Sequence, residues 1–151
     1  MKIHTRKATV NDLPAIHQLV RELAIYEKAE EEFIATIEEY VEDFNNQVFQ
    51  SIVAEIDGKV AGMVLFYLTY STWKGKMMYL EDFVVSEQHR QKGIGQILFD
   101  AFLEASKKQG CKLVKWQVLD WNQPAINFYL KNGAVIEKEW WNGKILFNIN
   151  N

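Results

Sequence analysis

Apolar positions change their period along this chain, and each change marks an element. Residues 2–7 alternate like a short edge strand. Asn11 or Asp12 can cap a helix with Pro14 in its first turn. Ile16, Leu19, Val20, Leu23 and Ala24 then recur at helical spacing. A second, acidic helix is expected over residues 36–44, with Ile37, Tyr40, Val41 and Phe44 on one side. Residues 51–56 are rich in β-branched side chains, and Asp57-Gly58 signals a hairpin turn. Residues 59–70 and 76–85 read as the next strands, joined around Lys74-Gly75. After Gly93 the helical period returns in Ile94, Ile97, Leu98, Ala101, Phe102 and Ala105, and Gly110 is a natural stop. Residues 111–119 read as a strand and 124–130 as a short helix closed by Asn132-Gly133. A last hairpin is expected between residues 135–141 and 144–149, turning at Asn142-Gly143. This order predicts an α+β protein, a mixed α/β sandwich whose seven-stranded, mostly antiparallel sheet is flanked by helices.

Composition narrows the class. The 151 residues contain no repeat and no Pro/Gly/Ser linker, so one domain over residues 1–151 is expected. Cys111 is the only cysteine, which excludes an internal disulfide and a thiol zinc site. His4, His17 and His89 are scattered, so no metal is expected. The first residues have no signal-type apolar stretch, and no apolar run reaches the roughly 20 residues of a membrane span. A cytoplasmic protein with no membrane partner is expected. The net charge of −3 argues against a nucleic-acid partner. That sum hides a split. Residues 27–43 hold eight acids against Lys28, a local −7 that leaves +4 on the rest. The division suggests a cationic partner at one place and an anionic one at another.

The anionic partner has a specific motif. Arg90-Gln91-Lys92-Gly93-Ile94-Gly95 lies between an expected strand and an expected helix. Glycines let backbone N–H groups approach an anion closely. The helix start adds unsatisfied donors and partial positive charge. Neither glycine is followed by lysine, which excludes a Walker A loop. Leu98 stands where a dinucleotide fingerprint needs a small residue.

The spacing Arg90-x-x-Gly93-x-Gly95 resembles the acyl-CoA loop of GNAT-type N-acetyltransferases. Further segments resemble the diamine (spermidine/spermine) and thialysine acetyltransferases of that family. They are Glu22-Leu-Ala-Ile-Tyr26-Glu27, Tyr79-Leu-Glu81-Asp82-Phe83 and Trp121-Asn122-x-Pro124-x-Ile126-Asn127-Phe128-Tyr129. The resemblance runs from about residue 3 to residue 149. It implies the GNAT fold, acetyl-CoA as cosubstrate, and a homodimer. It also implies that Phe83, Val84 and Val85 pair with the pantetheine arm. Arg90, Gln91, Lys92, Gly93, Ile94, Gly95 and Gln96 would hold the pyrophosphate, with Asn122, Pro124, Ala125 and Tyr129 completing the cofactor contacts.

Amine acetylation sets two proton problems. A primary ammonium has a pKa of ~10.4, so only about one molecule in 2,500 is a free nucleophile at neutral pH, a deficit of about 4.6 kcal/mol. A base must take that proton, and the leaving thiolate must receive one. Glu81 is the candidate base, a carboxylate within an apolar strand that leads to the loop. Strand alternation puts it on the face of Tyr79 and Phe83, with Asp82 on the other. A strand-end ion pair is the alternative for Glu81. Tyr129 is the candidate acid by the resemblance, although its place on an apolar helix also fits a core aromatic. Cys111 is expected to be a structural thiol, which favours direct transfer without a covalent enzyme intermediate.

The substrate is expected to be a small cationic amine. The resemblance assigns Tyr26, Glu27, Trp73, Glu81, Asp82, Lys115, Trp116 and Gln117 to its contacts. The acidic window would attract such a cation, and a solvated acidic helix would have the same sum. The family's Thr-Tyr-Asp-Pro-Trp reads Thr69-Tyr70-Ser71-Thr72-Trp73 here, so one carboxylate for a second ammonium is missing. That leaves room for short diamines, thialysine or a lysine-like amine. The alternatives are a protein or peptide acetyltransferase and a non-catalytic acyl-CoA-binding module.

Overall fold

A computed structural model describes residues 2–147. Its elements follow the periods of the sequence closely up to residue 110. They are β1 (Ile3–Lys7), α1 (Leu13–Tyr26), α2 (Ile37–Asn45), β2 (Gln50–Ile56), β3 (Lys59–Ser71), β4 (Gly75–Val85), α3 (Ile94–Lys108), β5 (Leu113–Lys115) and α4 (Gln123–Lys131). The chain falls into two compact units, divided after Gln117.

The first unit holds one sheet in the order β1-β2-β3-β4-β5, antiparallel except for the parallel pair β4–β5. Asp57 and Gly58 both take positive φ, 52° and 78°, as a tight two-residue hairpin turn requires. One face of the sheet is covered by α1 and α2. Leu13, Ile16 and Leu19 of α1 pack there with Val53, Met63, Leu65 and Val84. The other face is covered by α3, whose Phe102 meets Phe66 at 5.2 Å and whose Phe99 meets Phe83 at 5.9 Å. Gly62 allows this close approach. A Cβ there would lie 3.0 Å from the Val84 carbonyl oxygen and 3.1 Å from Leu98 Cδ1.

Two expectations change. Among the described residues the sheet has five strands, where seven were expected. The strand expected over 111–119 shortens to Leu113–Lys115, and its ladder stops at Tyr79↔Lys115. Two residues further along, β4 bulges at Glu81, and a bulge ends regular pairing. The expected terminal hairpin belongs to the second unit. Residues 135–147 form no ladder there, and residues 148 and 149 lie outside the described residues. Trp141, Ile145 and Phe147 are 93%, 85% and 79% exposed. Among the described residues, no helix is long and apolar enough to cross a membrane.

Candidate active site

A register shift builds the centre of the site. Leu65 of β3 stands opposite Asp82, but its neighbour Phe66 stands opposite Leu80. Glu81 is therefore the extra residue of a β-bulge, which re-aims side chains locally. Alternation is broken at this point. Asp82 and Val84 share the α1/α2 face with Leu65 and Met63, while Leu80 and Phe83 point toward α3 with Phe66 and Val64. The expected separation of Glu81 from Asp82 is thus overturned. Both carboxylates line one cavity of about 390 Å³ on the α1/α2 side. Its walls are apolar and aromatic, including Val20, Phe33, Tyr40 and Phe49, and Glu32, Glu39 and Asp43 add further acids.

Proton affinities in this corner are shifted. Burial pushes the Asp82 carboxyl up to about 7, and the charges of Glu81 and Glu27 add to the rise. Burial also raises Glu27, the residue that closes α1. The Tyr67 hydroxyl donates to Glu81 Oε1 at 2.8 Å, and its ring stacks on Tyr79 at 5.5 Å.

The segment before α2 is pinned from below. The His17 Nε2–H donates to the Ala35 carbonyl at 2.8 Å, and its ring lies 4.6 Å from Phe33 and 5.0 Å from Tyr40. Thr36 caps α2 reciprocally with Glu39. Its Oγ1 accepts from the Glu39 N–H at 3.1 Å, and its own N–H donates to Glu39 Oε1 at 3.3 Å.

A loop with anion-binding geometry follows β4. Gln91 and Gly93 take positive φ, 63° and 79°, and α3 opens immediately afterwards at Ile94. The first-turn amides of α3 have no intrahelical carbonyl to meet. Gln91, Lys92 and Gly93 are exposed, and a Cβ at Gly95 would lie 3.6 Å from Phe83 Cζ. Arg90 is held in place by two contacts. Its Nε donates to the Val85 carbonyl at 3.2 Å, and its guanidinium stands 5.9 Å from the centre of the Tyr26 ring.

In the second unit, the Asn122 side chain caps α4 by accepting from the Ala125 N–H at 3.4 Å, with Pro124 in the first turn. Tyr129 is buried, and its ring meets Phe128 at 5.7 Å.

Residues 13–134 match the Acetyltransferase (GNAT) family. The chain belongs to this family. It is a GNAT N-acetyltransferase. A thialysine N-epsilon-acetyltransferase of Mus musculus is 36% identical over 148 residues, covering 90% of this chain and 87% of that protein. The spermidine/spermine N(1)-acetyltransferase-like protein 1 of Homo sapiens is 32% identical over 139 residues, covering 86% of this chain and 20% of that protein. A solved aminoglycoside acetyltransferase from an uncultured soil metagenomic sample shares the fold. Its TM-score is 0.80 at 21% identity, with 97% of each chain covered.

The structure gathers some of the acetyltransferase's expected substrate residues and disperses others. The charges of Glu81 and Glu27 both act on Asp82. Lys115 stands in register beside Tyr79. Trp116 packs edge-on against Phe99, on the α3 side of the sheet and away from the carboxylates' face. Trp73 is 85% exposed in the β3–β4 turn. Gln117 is exposed beyond the end of β5. Cys111 is half-buried, and burial pushes its thiol up. Sequence reasoning missed Tyr67, Tyr40 and Phe33. The signal for Tyr67 was present, because counting back across the Lys74-Gly75 turn brings it close to Glu81.

Proposed function

We propose that this acetyltransferase moves the acetyl group of acetyl-CoA to a primary nitrogen of a small cationic amine, with Glu81 as general base and Tyr129 as general acid. The observation that carries the reading is the bulge at Glu81, which turns two adjacent carboxylates into one aromatic-walled acidic cavity. The charged amine would sit against Asp82 and the acids of the cavity rim. Glu81 would take the ammonium proton directly or through a water, offsetting the free-amine deficit of about 4.6 kcal/mol.

The residues after β4 fit a CoA pyrophosphate. Gly93 provides a left-handed turn without a Cβ, and the start of α3 supplies amide donors. Arg90 and Lys92 add positive charge. Arg90, Gln91, Lys92, Gly93, Ile94, Gly95 and Gln96 would hold that group. Phe83, Val84 and Val85 would offer backbone to the pantetheine arm, and Asn122, Pro124 and Ala125 would contact the cofactor from α4. When bound, acetyl-CoA supplies the electrophilic thioester carbonyl. Tyr129 would keep a phenolic proton for the departing sulfur.

Thialysine, a short diamine or a lysine-like amine is the favoured substrate class. The mouse relative's name supports it, as does Ser71 in place of an acid. The family match spans the division after Gln117, which supports one working domain made of both units. A homodimer is supported by the apolar exposure of Trp140, Trp141, Ile145, Leu146 and Phe147. The place of action is taken to be the cytoplasm.

The test is thiol release from acetyl-CoA across a panel of amines. Thialysine or a short diamine should be acetylated, and Glu81→Gln should lower kcat by roughly 10²–10⁴-fold. A panel with no turnover, or a Glu81→Gln enzyme as active as the parent, would overturn the reading.

A further inference from the structure

We infer that Tyr67 is a positioning residue for the base, fixing the Glu81 carboxylate toward the cavity through its hydroxyl. The inference rests on the proposed role of Glu81 and adds a residue that the role requires. Glu81 is exposed, and as the extra residue of the bulge it has no cross-strand partner to set its direction. A free glutamate side chain samples many rotamers, and ordering one costs up to about 2 kcal/mol. A proton acceptor must be held within hydrogen-bond reach of its donor.

Tyr67 supplies that constraint from the neighbouring strand. It stands opposite Tyr79 in the β3–β4 register, two residues before the bulge, and the two rings stack at 5.5 Å with 25° between their planes. The stack fixes the ring, and the ring fixes the hydroxyl. That hydroxyl donates to Glu81 Oε1 at 2.8 Å, a charge-assisted bond. One carboxylate oxygen is thereby engaged, and Oε2 is left to receive the substrate proton. The phenol also remains a donor, since burial and the adjacent Glu81 both push its ionisation above the ordinary tyrosine value. The bond contributes little to folding because its Glu81 end is exposed, where water replaces a lost hydrogen bond.

Tyr67→Phe keeps the ring and removes only the hydroxyl. It should lower kcat roughly tenfold, with KM for acetyl-CoA and for the amine within twofold and the unfolding midpoint unchanged. Three results overturn the inference: an unchanged kcat, a rise in KM without a fall in kcat, or a fall in kcat matched by lost stability. Glu81→Gln, measured in parallel, separates the two levels. A Glu81→Gln enzyme of full activity removes the base itself and the positioning role with it. An inactive Glu81→Gln enzyme beside a fully active Tyr67→Phe removes only the role of Tyr67.

Discussion

Asp82 is the residue whose chemistry most depends on its surroundings. Its folded carboxyl titrates at about 7, raised first by burial and then by Glu81 and Glu27. In the unfolded chain it returns to about 3.9. Between these values the folded protein holds the extra proton, so the contribution to stability is complete below about pH 4 and is lost as pH rises through about 7. Asp82→Asn removes this titration. The variant should unfold later than the parent above about pH 7, by an amount on the order of a few kcal/mol, and should match it below about pH 4. Thermal melts at the two ends of the range decide it, and equal differences at both would refute the assignment. An amine cation opposes the same penalty. Its KM should therefore fall as pH rises through about 7 in the parent, and this trend should flatten in Asp82→Asn. The identity of both carboxylates was legible in the sequence, but their common face was not. A period-of-two reading has no signal for one extra residue, and that residue decides the geometry here.

At the scale of elements, punctuation was read better than pairing. Gly93 before Ile94 and Asp57-Gly58 are local devices, and each stands in the structure where its residue type requires. Strand extent is a matter of partners. β5 ends where β4 bulges, which nothing within residues 111–119 discloses. The dispersal of Trp116 has the same origin, since the residue after Lys115 falls on the α3 side. The loop gives the element-scale prediction. Gly93 holds φ 79°, a conformation that costs an alanine roughly 1–2 kcal/mol. Gly93→Ala should lose about that much stability and raise KM for acetyl-CoA about tenfold, because the amides of the α3 start are re-aimed. KM for the amine should hardly change. Paired kinetic titrations of the two substrates check this, and equal losses for both would show general damage instead.

At the scale of the whole molecule, a run of large apolar side chains near the end of the described residues is exposed. Trp140, Trp141, Ile145, Leu146 and Phe147 are between 67% and 93% exposed. Large apolar side chains exposed in number along one short segment point to an interface. The alternation that suggested a hairpin in the sequence is equally what a strand pairing with another chain would show. A second copy is the simplest partner, because a symmetric contact presents the same patch from both sides. The protein should therefore sediment at twice its 17.7 kDa. Trp141→Glu combined with Ile145→Glu should halve that mass. It should leave the melting of the first unit unchanged, since both side chains are already exposed and belong to the second unit. A parent protein that sediments as a monomer throughout a dilution series would overturn the dimer. A charge-substituted pair that still sediments as a dimer would move the interface away from these residues.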